Sequence, residues 1–273
     1  MRFVSVLGLL LMLSGCSTLF FYPTEEHVQT PEDQGLEYED VYLEREDGPR
    51  LHGWWLPAAT DEVKGTVYHL HGNAQNISTH LMSVFWLPEQ GYQVFLLDYR
   101  GYGKSEGRAR IAGALDDVQM GLDWLLDNER TQGPVILLGQ SLGGSLGAAV
   151  LGREQNEGKA DCVILEAAFT GYRDITRDVM RQTWLLWPFS FVMAPLMPGS
   201  DNPIDRIDKI APRPLMIMHS KEDEVIPFEH GQRLFEEAGE PKEFIRLYGR
   251  HGQGTAFPTV RRKMLEFMSG ECQ

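Results

Sequence analysis

The chain has 273 residues, 42% hydrophobic and 23% charged, with 28 Gly, 15 Pro and 3 Cys. That is enough apolar material for a sizeable core, and it excludes a disordered chain, a collagen, a coiled coil, a disulfide scaffold and a cysteine-rich zinc domain. A formal net charge of −14 excludes a general nucleic-acid binder, because a phosphate backbone would repel it.

Met1-Arg2 carries one positive charge, and the apolar run that follows, Phe3 to Leu13, is too short to span a bilayer as a stable helix. A short charge, a short apolar run and then small residues make a secretory signal. Leu13-Ser14-Gly15-Cys16 resembles the bacterial lipobox. The resemblance implies that residues 1–15 are removed and that Cys16 becomes the acylated first residue. With Ser17 next, it also implies an exported lipoprotein at the outer membrane, facing the periplasm. Several acyl chains anchor a protein stably where one is marginal. Loss of Arg2 would take the net charge from −14 to −15, so the body would not adhere to anionic lipid by its own surface. Residues 16–35, with Ser, Thr, Pro, Glu and Gln, read as a polar stalk, which leaves 36–273 as one domain.

Residues 38–44 and 50–56 are extended runs joined through Asp47-Gly48, a hairpin signal. Gly65 to His71 is a short apolar strand leading into a helix-like stretch, 76–87. Tyr92 to Asp98 is apolar nearly throughout, as in a strand buried on both faces. Ile111, Leu115, Val118, Leu122 and Leu125 recur at steps of three and four, which predicts an amphipathic helix. Strands are then expected at 135–139, 163–165, 215–219 and 244–248. Helices are expected from Leu142 to about Arg153, and over 257–268 with Val260, Met264 and Phe267 on one face. This alternation argues an α/β fold with a mainly parallel, eight-stranded sheet covered by helices on both faces. Ligands of such sheets sit at the carboxyl ends of the strands. In this arrangement Cys162 and Cys272 either pair at the bottom of the sheet or stand as one buried thiol and one loose tail thiol, the second being the simpler reading.

Gly139-Gln140-Ser141-Leu142-Gly143 follows a strand and opens a helix. In a G-x-S-x-G turn this tight, the positions two before and two after the Ser must lack side chains. Gly144, Gly147 and Ala148 keep the helix close to the sheet, and the Leu142 N–H at the helix start can face a developing oxyanion. Ser141 is therefore the candidate nucleophile. A Ser hydroxyl needs a base, and the base needs an acid to fix its tautomer. Of the later histidines, His219 lies at a strand end and reads as structural. His230 opens a helix and reads as exposed. His251 sits in Tyr248-Gly249-Arg250-His251-Gly252, a loop after the last strand that can swing an imidazole over the sheet edge. For the acid, Glu222, Asp223 and Glu224 compete in one loop, Glu166 ends another strand, and spacing alone does not choose among them.

Four stretches then resemble the α/β-hydrolase superfamily, in its serine-aminopeptidase and depalmitoylase-like branch. They are His71-Gly72-Asn73-Ala74-Gln75-Asn76, Asp98-Tyr99-Arg100-Gly101-Tyr102-Gly103-Lys104-Ser105-Glu106-Gly107, Gly139 to Gly144, and His219 to Pro227. The resemblance covers roughly residues 38–268 and implies the α/β-hydrolase fold. It implies Asp223 as the acid, four residues after the His of an H-G-x-x-D-x-x-(I/V)-P pattern in which Ser220 replaces the usual Gly. It also implies the N–H of Asn73 as a second oxyanion donor beside that of Leu142. The catalytic set is thus Ser141, Asp223 and His251, with Asp98-Tyr99-Arg100 a structural ion-pair loop.

The segment 170–205 breaks the strand–helix rhythm and lies where this fold inserts a lid. Its Trp184, Trp187 and Phe189 are expected to form an apolar acyl pocket, favouring a small-molecule or lipid-like acyl substrate. No cofactor is called for. His69, His71 and Asp98 offer a metal cluster on paper, but the chain has no dense ligand motif, and no metal is expected. The expected activity is serine hydrolysis of a carboxylic ester or thioester. The alternatives are a peptidase or aminopeptidase with the same triad, and a non-catalytic, lipid-anchored binding protein on a hydrolase fold. Oligomeric state is not legible.

Overall fold

The structure, a computed structural model, describes residues 20–46, 48–182 and 184–272. The lipobox with Cys16 lies outside these residues. Among the described residues there are ten strands: β1 Tyr22–Pro23, β2 Glu39–Leu43, β3 Leu51–Leu56, β4 Gly65–Leu70, β5 Ala74–Gln75, β6 Tyr92–Leu97, β7 Val135–Gln140, β8 Cys162–Glu166, β9 Leu215–Ser220 and β10 Lys242–Leu247. Eight of them form one sheet in the order β10-β9-β8-β7-β4-β6-β3-β2, and β1 pairs with β5 in a separate parallel ribbon. Only β3 runs against its neighbours, pairing antiparallel with both β2 and β6. This is the α/β-hydrolase fold.

Alternation along the strands decides which face each side chain covers. Tyr68, Phe95 and Leu137 pack to one side with the helices Ile111–Asp127, Leu142–Leu151 and Phe228–Glu237. Val67, Val94, Leu96 and Ile136 pack to the other with Ile77, Leu81 and the helix Pro258–Gly270. β4, β6, β7, β8 and β9 are buried along their whole length, because helices cover both faces. The stretch expected as one helix over 76–87 is instead a single turn, Ile77–His80, followed by a 3-10 turn at Leu81–Ser83.

Residues 20–35 are not a free stalk. They cross the carboxyl edge of the sheet as a strap. The Asn76 amide donates to the carbonyls of Thr24 and Glu26 at 3.0 and 2.8 Å, and the Val28 N–H donates to Ser78 Oγ at 3.0 Å. Phe21 is buried against Tyr102. The strap is held mainly through its backbone, with the Gln29 amide also donating to the Ser78 carbonyl at 2.7 Å, 49 residues away.

Cys162 and Cys272 form a disulfide, with Cα atoms 5.2 Å apart across 110 residues of chain. Cys162 begins β8, and Cys272 is buried just after the helix Pro258–Gly270, so the tail thiol is not loose. A crosslink closing so long a loop restricts the unfolded chain strongly. Replacing Cys272 with Ser is expected to lower the unfolding free energy by about 2–4 kcal/mol; urea titration of wild type and variant measures the difference.

Candidate active site

β7 ends at Gln140, and the helix Leu142–Leu151 starts two residues later. Ser141 makes the turn alone, with φ 55° and ψ −115°. The two chain directions come so close that a Cβ at Gly139 would stand 2.5 Å from Gly144 Cα, and one at Gly143 would strike the Leu70 carbonyl. The glycines are there for that approach. They lift Ser141 Oγ to the strand end, 3.0 Å from His251 Nε2. His251 Nδ1 lies 2.7 Å from Asp223 Oδ2. Asp223 Oδ1 accepts the N–H groups of Val225 and Ile226 at 2.9 and 2.8 Å. Burial opposes the Asp223 charge, but the His251 contact and these two N–H groups outweigh it and hold the carboxyl below its ordinary value.

The other acids have different partners. Glu222 accepts the Gly249 N–H at 2.9 Å, and Glu224 accepts the His251 N–H at 3.1 Å and Arg250 Nε at 2.7 Å. Both therefore clamp the backbone of the loop whose imidazole Asp223 receives. Glu166 is buried behind that loop, accepting the Gly254 N–H at 2.7 Å and the Gln140 amide at 3.1 Å. Burial pushes its carboxyl up. The same Gln140 amide donates to the Gly252 carbonyl at 2.9 Å. Gln140 was not singled out from sequence, although its place inside the G-x-S-x-G motif was a usable signal.

His219 is buried, with Nε2 3.0 Å from the Ile226 carbonyl. His230 is buried rather than exposed: its Nδ1 accepts the Thr170 N–H at 3.1 Å, and its Nε2 lies 3.2 Å from Asp178. It ties the helix Phe228–Glu237 to the helix Tyr172–Arg181.

The Asp98-to-Gly107 loop supports the turn that carries Asn73. Tyr99 Oη donates to the His71 carbonyl at 3.0 Å, and Tyr102 Oη to the Asn73 carbonyl at 2.7 Å. Arg100 meets Asp117 in a two-pronged ion pair. Among the described residues, neither the Asn73 nor the Leu142 N–H has a hydrogen-bond acceptor in the protein, and both residues line the same cavity as Ser141.

The paper cluster of His69, His71 and Asp98 does not assemble as written. His69 is buried with both ring nitrogens unpartnered, while His71 Nε2 is 3.7 Å from Asp98. Among the described residues, the group whose ligand atoms converge is His27, His52 and Asp98. Each of these already has a protein partner. Asp98 accepts from the Ile77 N–H at 2.9 Å and lies 3.2 Å from His27 Nε2, while His52 Nε2 lies 2.5 Å from Asp40. This arrangement is a buried strut that fastens the strap to β3 and β6.

Above Ser141 is an apolar cavity of about 770 Å³. From the segment 170–205 it is lined by Ile175, Thr176, Val179, Met180, Leu186, Met193 and Met197, and from the strap by Phe20 and Tyr22. Trp184, Trp187 and Phe189 do not line it: they are 85%, 50% and 58% exposed. The apolar composition of the segment was legible, but which of its faces turns inward was not. The buried Ser190 and Ala194 fix that face, leaving the aromatic rings outside.

The fold, with the family match and relatives that follow, makes the chain a hydrolase of the α/β class. Residues 61–201 match the family described as "Serine aminopeptidase, S33", and the chain belongs to that family. The match includes Ser141 and ends before Asp223 and His251. A curated relative, the "Uncharacterized protein YfhR" of Escherichia coli K12, is 34% identical over 91% of this chain and 86% of its own length. The "Lysophosphatidylserine lipase ABHD12" of Xenopus tropicalis is 30% identical over 83% of this chain and 65% of its own. The Pyrococcus furiosus esterase Pf2001 superposes with a TM-score of 0.73 over 92% of this chain and 100% of that one, at 24% identity, a likeness of fold.

Asp98 provides a pH test of the strut. Burial opposes its charge, but His27, His52 and the Ile77 N–H outweigh burial and hold its carboxyl below the ordinary value of 3.8. The stability it contributes is therefore present above that value and drains away as pH falls through the depressed folded value. Asp98→Asn is expected to cost about 3 kcal/mol at neutral pH. Denaturation of both proteins at pH 7 and at pH 3 should show the gap narrowing in acid.

Proposed function

We propose that the protein is a serine hydrolase that cleaves a carboxylic ester or thioester through an acyl-enzyme on Ser141. The observation that carries this reading is the unbroken relay from Ser141 Oγ through His251 to Asp223, at 3.0 and 2.7 Å. Ser141 Oγ attacks the acyl carbonyl as His251 Nε2 takes its proton. Asp223 keeps the proton on Nδ1 and stabilises the imidazolium. The oxyanion receives the N–H groups of Asn73 and Leu142. His251 then protonates the leaving group, and water repeats the sequence to release the acid.

An ester or thioester is favoured over an aminopeptide by the wall of the cavity, which among the described residues carries no Asp, Glu, Lys or Arg. A terminal ammonium would lie there without a counter-charge, which is costly away from water. Apolar walls with several methionines suit a flexible acyl chain, and the lipase name of the Xenopus relative supports a lipid-like substrate. We also propose that the protein is exported and anchored by lipid on Cys16. The disulfide supports this, since such bonds persist in oxidising compartments.

Ser141→Ala is expected to lose fluorophosphonate labelling and to lower turnover by on the order of a millionfold while remaining folded. Asp223→Asn is expected to lower kcat about 10⁴-fold, with the Glu222→Gln and Glu224→Gln variants far less affected. An equal loss for all three acids would take Asp223 out of its role.

Nitrophenyl esters of rising chain length should be turned over with rising kcat/KM up to the length the cavity holds. Met193→Glu should remove the gain for long chains and spare acetyl. A preference for acetyl in the wild type would refute an acyl cavity.

A further inference from the structure

Residues 184–200 contain no Asp, Glu, Lys or Arg. Trp184, Leu185, Trp187, Phe189, Phe191 and Val192 all face outward. An apolar patch this continuous is costly in water and marks a contact surface. It does not cross a membrane: the helix Ser190–Leu196 has seven residues, and no helix among the described residues is long and apolar enough to do so. Its polarity is inverted for a water-facing segment, because Ser190 points into the protein while Phe191 and Val192 point out.

The patch is continuous with the cavity mouth. The large apolar lining residues Tyr22, Met82, Val179, Leu186 and Val225 are also exposed, beside the exposed Gln75 and Gln253, and Leu186 belongs to the uncharged run itself. Phe20 lies on this side too: it lines the cavity and packs on Phe169 at 6.1 Å and Tyr172 at 6.4 Å. Cys16 stands four residues earlier, within about 14 Å of fully extended chain.

We propose that this aromatic face docks on the surface of a phospholipid bilayer, opening the cavity mouth to it, so that the acyl chain of the substrate enters from the lipid. Trp and Phe on an uncharged surface suit the boundary between headgroups and acyl chains. With a net charge of −14, the body is drawn there by apolar partition and not by attraction to anionic lipid. The choice of an acyl lipid rests on the hydrolase reading and the nearness of the anchor on the Cys16 reading; the docking itself rests on the face.

The test uses the full lipidated chain in phosphatidylcholine vesicles whose acyl chains are brominated near the carbonyl. Trp54, Trp55 and Trp86 are buried and Trp124 partly so, which leaves Trp184 and Trp187 as the exposed reporters. Bromolipid should quench wild-type emission, and the W184F/W187F variant should lose that quenching. Separately, W184E/F191E should hydrolyse a long-chain monoacyl ester held in vesicles about tenfold or more slowly, with soluble nitrophenyl butyrate unaffected. Equal quenching in wild type and W184F/W187F, an equal loss on both substrates, or sedimentation showing the face buried against a second copy would overturn the proposal. If no soluble ester is turned over, the hydrolase reading fails while the quenching still decides the docking. Palmitate labelling of Cys16 reports the anchor independently.

Discussion

At Ser141 the backbone leaves β7 with φ 55° and ψ −115° and enters a helix at the next residue. A residue other than glycine holds such a conformation at a cost of about 1–3 kcal/mol, and keeps it only where the surroundings over-determine it. Here they do. The Ser141 N–H donates to the Glu166 carbonyl at 2.8 Å, and the Ser145 N–H to the Ser141 carbonyl at 3.1 Å. Gly139 and Gly143 let the helix press against β7 and β4 with no room for a methyl group. Relaxing that bend would withdraw the hydroxyl from His251 and separate the helix from the sheet.

The imidazole is fixed as firmly as the hydroxyl. Its loop is held from one side by Glu222 and Glu224, through backbone N–H groups, and from the other by Glu166 and Gln140. Four polar side chains spent on the backbone of one short loop leave the fifth, Asp223, to act on the ring. The turn bearing Asn73 is braced by Tyr99 and Tyr102, and beneath it the strap is fastened through His27 to Asp98. Scaffold and relay thus share residues, and loss of a brace is felt as misplacement of a reacting atom.

The sheet was legible in the sequence because a strand buried on both faces is apolar throughout, a local property. The strand-to-helix bend at Ser141 was legible because it demands glycines at fixed offsets. Which carboxylate meets His251 was not legible from spacing: Glu222, Asp223 and Glu224 are adjacent, and only the direction each side chain takes in the folded loop separates them. Residues 20–35 read as a stalk because their polar groups look solvated, whereas His27 finds Asp98 across 71 residues. Phe20, Phe21 and Tyr22 were the signal that this segment packs. In the segment 170–205 composition pointed to an acyl pocket, but the methionines and Leu186 line it, and the tryptophans do not.

The walls of the cavity and the face beside it are apolar, and the reacting groups lie at its floor. That division suits the proposed reaction on an acyl chain, in which partition would bring the chain in and the relay would do the chemistry. In the proposed reaction the acyl group passes through a covalent bond to Ser141. Peptide mapping by mass spectrometry, after rapid quenching of the enzyme in acid during turnover of a nitrophenyl ester, tests it most directly. The acyl mass is expected on the peptide that contains Ser141; turnover with the acyl mass on another residue, or on none, would refute the acyl-enzyme.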